Sequence, residues 1–164
     1  MQLPGGNVLV VGGRTYAATP ATRSAASAWS PVTGHWTALP PMSRHRTMLT
    51  ACMLPSGRVA VVGYEEEAAA APATGASASE TRGGPALSGE IFDLAARSWS
   101  ALPAMPLPCA AQQLCATATP AAVSVPGGLI VVGCSAPAND SQQQQQLWAQ
   151  LFDEVSSKWY ILPK

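Results

Sequence analysis

Three aliphatic runs, each closed by glycine, set the pattern of the chain: Val8-Leu9-Val10-Val11-Gly12, Val59-Ala60-Val61-Val62-Gly63 and Leu129-Ile130-Val131-Val132-Gly133. No polar residue alternates within them, as expected of strands covered on both faces. Downstream of each run an aromatic is followed by six residues, a tryptophan, two more residues and Leu-Pro. The copies read Trp29, Trp36, Leu39-Pro40; Phe92, Trp99, Leu102-Pro103; and Phe152, Trp159, Leu162-Pro163. The turns inside them, Pro31-Val32-Thr33-Gly34, Leu94-Ala95-Ala96-Arg97 and Glu154-Val155-Ser156-Ser157, have one length, which predicts hairpins of one register. Before the second and third runs, Thr47 to Leu54 and Ala116 to Val125 each read as a further strand, the latter irregular at Pro120. The repeating unit is therefore four antiparallel strands, with three in the first unit because residue 1 arrives too early for its leading strand.

A unit of this kind cannot bury its own faces, so the units must stack. The pattern divides the chain into residues 1–42, 43–105 and 106–164, with long loops at 64–89 and 135–147. Gly12, Gly63 and Gly133 close the apolar runs, and Trp36, Trp99 and Trp159 are expected to wedge between neighbouring units. Full burial of such an indole corresponds to about 4 to 6 kcal/mol as an upper bound, and Trp99→Ala is expected to cost about 3 to 5 kcal/mol.

Composition narrows the function classes. The 164 residues are 48% hydrophobic and 11% charged, enough for a core, and nine basic side chains balance nine acidic ones. No basic stripe draws a phosphate backbone, so nucleic acid is not an expected partner. No apolar run approaches the roughly 18 to 20 residues of a membrane span. Cys52, Cys109, Cys115 and Cys134 lack metal-site spacing and read as ordinary thiols, although Cys109 and Cys115 could pair across one turn in an oxidising compartment. The compartment stays open, with the cytoplasm slightly favoured.

Taken together, the repeats resemble the kelch family of β-propellers. The apolar run with Gly12-Gly13, the Trp29-Ser30-Pro31 step, Trp36 and Leu39-Pro40-Pro41-Met42 match its pattern. So do Phe92-Asp93, Trp99 and Leu102-Pro103-Ala104-Met105, and then Phe152-Asp153, Trp159 and Leu162-Pro163. The openings Leu3-Pro4-Gly5-Gly6-Asn7 and Leu54-Pro55-Ser56-Gly57-Arg58 are similar to the galactose-oxidase-like branch. Tyr64 and Cys134 depart from the family's second glycine. The repeats are also long, 63 positions from Trp36 to Trp99 and 60 from Trp99 to Trp159, against about 50 in kelch. The resemblance implies an all-β propeller fragment of about three blades. Since rings take 4 to 8 blades, the missing ones are expected from a longer chain or from self-association.

Kelch propellers commonly bind partners on the face where the second-to-third-strand loops and the inter-blade links emerge. Here that face would carry Arg44, His45, Arg46 and Tyr64. The Arg44-His45-Arg46 cluster reads either as a grip on a partner's carboxylate or as a solvated turn with one arginine packed inward. Glu65-Glu66-Glu67 and the Gln142 to Gln146 run read as solvated loop. The chemistry of a copper oxidase does not assemble, since His35 and His45 fall at opposite ends of a strand roughly 17 to 20 Å long. Asp93 and Asp153 read as turn residues. The expectation is a non-catalytic protein-binding scaffold with no cofactor and no metal. The alternative is a piece of a galactose-oxidase-like carbohydrate-active enzyme whose catalytic residues lie elsewhere.

Overall fold

The computed structural model describes residues 1–13, 24–65, 86–106, 119–135 and 146–163. Among them there is no helix, and eleven strands form three antiparallel sheets. Sheet 1 runs β1 (Val8–Val11), β2 (Ala26–Trp29) and β3 (Trp36–Leu39). Sheet 2 runs β4 (Arg46–Met53), β5 (Val59–Glu65), β6 (Leu87–Asp93) and β7 (Ser98–Ala101). Sheet 3 runs β8 (Ala121–Val125), β9 (Gly128–Ser135), β10 (Gln146–Asp153) and β11 (Lys158–Ile161). Each is a simple meander with chain neighbours paired.

The equal turn length does produce equal register. Trp29 pairs Trp36, Phe92 pairs Trp99 and Phe152 pairs Trp159, with ring centroids 6.5, 4.8 and 5.2 Å apart. The turns share one geometry: the residue two before each Trp, Gly34, Arg97 or Ser157, has positive φ. Asp93 and Asp153 accept the N–H groups of the turn that follows, Ala95 and Ala96 in one case, Val155 and Ser156 in the other. Hydrogen bonding from the Ser156 side chain, the main cause, and from the two N–H groups holds Asp153 below the ordinary carboxylate range against a smaller opposing effect of burial. The two openings also match. Leu3 N–H donates to Asn7 C=O as Leu54 N–H does to Arg58 C=O, both at 2.7 Å.

Sheet 2 is the middle layer, which explains its unbroken apolar strand. Side chains alternate across a strand, so Val59, Val61 and Phe92 face sheet 1 and pack with Leu3, Leu9 and Met42. Ala60, Val62, Tyr64 and Ile91 face sheet 3 and pack with Leu129, Val131, Trp148 and Phe152. All six residues from Val59 to Tyr64 are buried. In the outer sheets only one side of the run is covered: Leu9 is 2% exposed but Val10 44%, and Val131 0% but Val132 36%. We call the face bearing the aromatic-Trp pair the leading face of a sheet and its opposite the trailing face. The trailing face of each sheet meets the leading face of the next. Between sheets the most extensive strand approach joins the two first strands, β4 and β8.

Two of the run-closing glycines are required by close approach. β4 carries a bulge between Thr47 and Thr50 opposite Gly63, with Met48 at φ 47°. A Cβ on Gly63 would lie 2.8 Å from that of Leu49, and one on Gly133 would lie 2.2 Å from the Trp148 ring. Gly12 instead has φ 66°.

Candidate functional site

The tryptophans act between sheets through their polar edge. Trp99 Nε1–H donates to the Pro40 carbonyl at 2.7 Å and Trp159 Nε1–H to the Pro103 carbonyl at 2.9 Å. Each indole thus reaches the Leu-Pro of the preceding sheet. Both residues are half-buried, so the expectation of full burial is too high. Trp36, in the first sheet of the chain, is 61% exposed.

A second inter-sheet contact lies two residues before Phe92 and before Phe152. Glu90 and Gln150 are almost fully buried. The Glu90 carboxylate accepts the Ser43 N–H at 2.9 Å and the Arg44 N–H at 3.3 Å, fixing the link from sheet 1 to sheet 2. It also pairs with the Arg46 guanidinium, each side chain only 2% exposed. Arg46 Nη2 donates to Ser88 Oγ at 2.7 Å, and Ser88 donates on to Glu65 at 2.6 Å. Gln150 donates instead, from Nε2 to the Pro106 carbonyl at 2.6 Å, just past the Leu-Pro-x-Met of sheet 2.

The link residues singled out from sequence therefore separate. Arg46 is buried and engaged by a carboxylate of its own chain, the inward-packed arrangement. His45 is half-buried with Nδ1 enclosed, and Arg44 is exposed. Tyr64 belongs to the core between sheets 2 and 3, 3% exposed. Arg46 opens β4 opposite Glu65, the last residue of β5, so Arg44 stands at the end of sheet 2 where β5 stops and β6 starts. The adjoining segments 66–85 and 136–145, with Glu66, Glu67 and the glutamine run, lie outside the described residues, as do Cys109 and Cys115. Of the described cysteines, Cys52 and Cys134 are free thiols, and burial pushes the Cys52 thiol up from its ordinary 9.0.

At the opposite sheet end Glu154, in the β10–β11 turn, receives Arg58 Nη2 at 2.8 Å together with the Ser56 hydroxyl. Partial burial raises its carboxyl, but hydrogen bonds from Ser56 and Arg58 and the Arg58 charge together leave it below the ordinary 4.5. Among the described residues no group of His, Cys, Asp or Glu could hold a metal ion. The Glu90 and Gln150 roles were missed from sequence, although a signal existed: both are polar residues set directly before an apolar-aromatic pair in a buried strand. Comparison with protein-family models and with curated proteins gives no match.

Proposed function

We propose that the chain is a set of kelch-type propeller blades that binds another protein without catalysing a reaction. Three features support the propeller: meandering sheets of three and four strands, a trailing-to-leading stacking order, and the approach of the first strands β4 and β8, as blades make around an axis. The binding reading rests on Arg44. Its backbone N–H is held by buried Glu90, so its exposed guanidinium starts from a fixed base, and pre-organisation of this kind lowers the ordering cost of gripping a partner's carboxylate.

The test compares affinity capture by the wild-type chain and by Arg44→Glu. The variant is expected to lose the captured partner while its thermal midpoint stays within about 2 °C, as for a surface change. Retention of the partner by Arg44→Glu overturns the site. Oxidation of a sugar by a longer gene product that contains this chain would replace the binding reading with the carbohydrate-enzyme one, since the catalytic residues of that alternative lie outside these 164 positions.

A further inference from the structure

Among the described residues, the apolar positions exposed on the two end faces of the stack repeat apolar positions that are buried inside it. On the trailing side of sheet 3, Leu147 is 71% exposed and Val132 36%, whereas their counterparts on sheet 2, Leu87 and Val62, are 5% and 1% exposed beneath sheet 3. Tyr160, 48% exposed, lies on the same side, since it pairs with Leu151, which pairs with Ile130. On the leading side of sheet 1, Val10 at 44% matches Val61 and Val131 at 0%, and Trp36 at 61% matches the indoles that bond to Pro40 and Pro103. Pro163 occupies in sheet 3 the place that those two prolines hold in sheets 1 and 2. Exposed apolar patches of this kind mark association surfaces.

We propose that the partner of these faces is a second copy of this chain: the leading face of sheet 1 docks on the trailing face of sheet 3 of another molecule, with Trp36 Nε1–H donating to the Pro163 carbonyl. The junction continues the apolar faces and the indole bond already made twice within the chain, with Ser27 standing where Glu90 and Gln150 reach across the internal junctions. Unlike faces meet, so the contact is heterologous, and such contacts either close into rings or grow without limit. On the propeller reading proposed above, two copies supply six sheets, within the closed range of 4 to 8, while three supply nine and overshoot it. Two copies thus close a two-fold ring with two identical junctions.

The experiment is sedimentation equilibrium of the full 164-residue chain over a wide concentration range. The expected result is a species of twice 16.8 kDa with no larger products. Trp36→Glu and Tyr160→Glu alter exposed side chains on opposite end faces, and each alone is expected to weaken dimerisation roughly 30-fold or more, as loss of an interface hot spot does. Mixing them is decisive. The intact trailing face of one variant and the intact leading face of the other can form one junction, so the mixture is expected to associate more tightly than either variant alone. A monomer at all concentrations, open-ended growth, or no rescue on mixing overturns the proposal; dimerisation untouched by Tyr160→Glu would point to like faces meeting and overturns it too. Loss of partner capture by Arg44→Glu is read separately, so this ring and the binding function can fail independently.

Discussion

The junction between sheets 1 and 2 and the junction between sheets 2 and 3 solve one problem with opposite chemistry. In both, a buried polar side chain two residues before the aromatic reaches the residue that follows Leu-Pro-x-Met. At the first junction that residue is Ser43, whose N–H needs an acceptor, and Glu90 supplies it. At the second it is Pro106, which has no N–H to give, and Gln150 donates to its carbonyl instead. A repeat fixes where a side chain must reach; the local backbone then decides whether the group arriving must accept or donate. The acceptor solution brings a buried charge, and Arg46 balances it, whereas the amide needs no counter-ion.

The comparison breaks most sharply at the charged junction. Glu90→Ala leaves the buried Arg46 guanidinium only the half-exposed Glu65 carboxylate at 3.7 Å and orphans two backbone donors, so a loss of about 3 to 5 kcal/mol is expected in urea unfolding. A loss under about 1 kcal/mol would mean that the pair does not organise the link. The reciprocal change is Gln150→Glu, expected to cost about 2 to 4 kcal/mol at neutral pH, because an ionised carboxylate would face the Pro106 carbonyl and no donor among the described residues reaches the Gln150 amide oxygen. Here the pH dependence carries the argument. Burial without a donor raises the folded-state pKa of the new carboxyl above its unfolded value, so the deficit is full at high pH and shrinks as pH falls through the raised value. Protonated, the group can donate to Pro106 as the amide does. A deficit independent of pH would trace the effect to shape alone.

The same contrast separates what was legible in sequence from what was not. Strand order and hairpin register follow from local spacing: seven positions from aromatic to Trp around a turn of fixed length leave one pairing, and the chain adopts it three times. All three apolar runs predict strands buried on both faces; the run from Val59 to Val62 is, whereas Val10 and Val132 in the outer sheets are exposed. Contacts between distant positions carried no such mark. Arg46 and Glu90 lie 44 residues apart, and nothing in an Arg-His-Arg link says which side chain turns inward. Trp99 and Trp159 reach the preceding sheet as half-buried rings while Trp36 is exposed, because spacing reports which face a ring occupies and not how far a neighbouring sheet extends over it.

What the junctions share is the indole bond, and it supplies a control. Trp99→Ala is expected to cost about 2 to 3 kcal/mol, below the range for a fully enclosed ring because Trp99 is half-buried. Trp99→Phe and Trp159→Phe each remove one hydrogen bond to a proline carbonyl and should cost about 1 kcal/mol, equal to within about 0.5 kcal/mol. Unequal costs would show that the two sheets pack on their predecessors with different tightness despite the common geometry.

The smallest effect lies at the far sheet end, where the junctions again differ. Leu94 packs into the apolar cluster between sheets 1 and 2, while its counterpart Glu154 takes Arg58 and Ser56 between sheets 2 and 3. Arg58 is 36% exposed, so water screens the pair, and a double-mutant cycle of Arg58→Ala with Glu154→Ala is expected to yield about 0.5 to 1 kcal/mol, falling as salt rises. Its sign with pH runs opposite to that of Gln150→Glu. The folded-state pKa of Glu154 is depressed, so its contribution is present above the ordinary 4.5 and disappears as pH falls through the lowered value. Acid should therefore loosen the junction of sheets 2 and 3 in the wild type and tighten it in Gln150→Glu, and measuring both slopes on one junction tests whether the ionisation of a single side chain governs each.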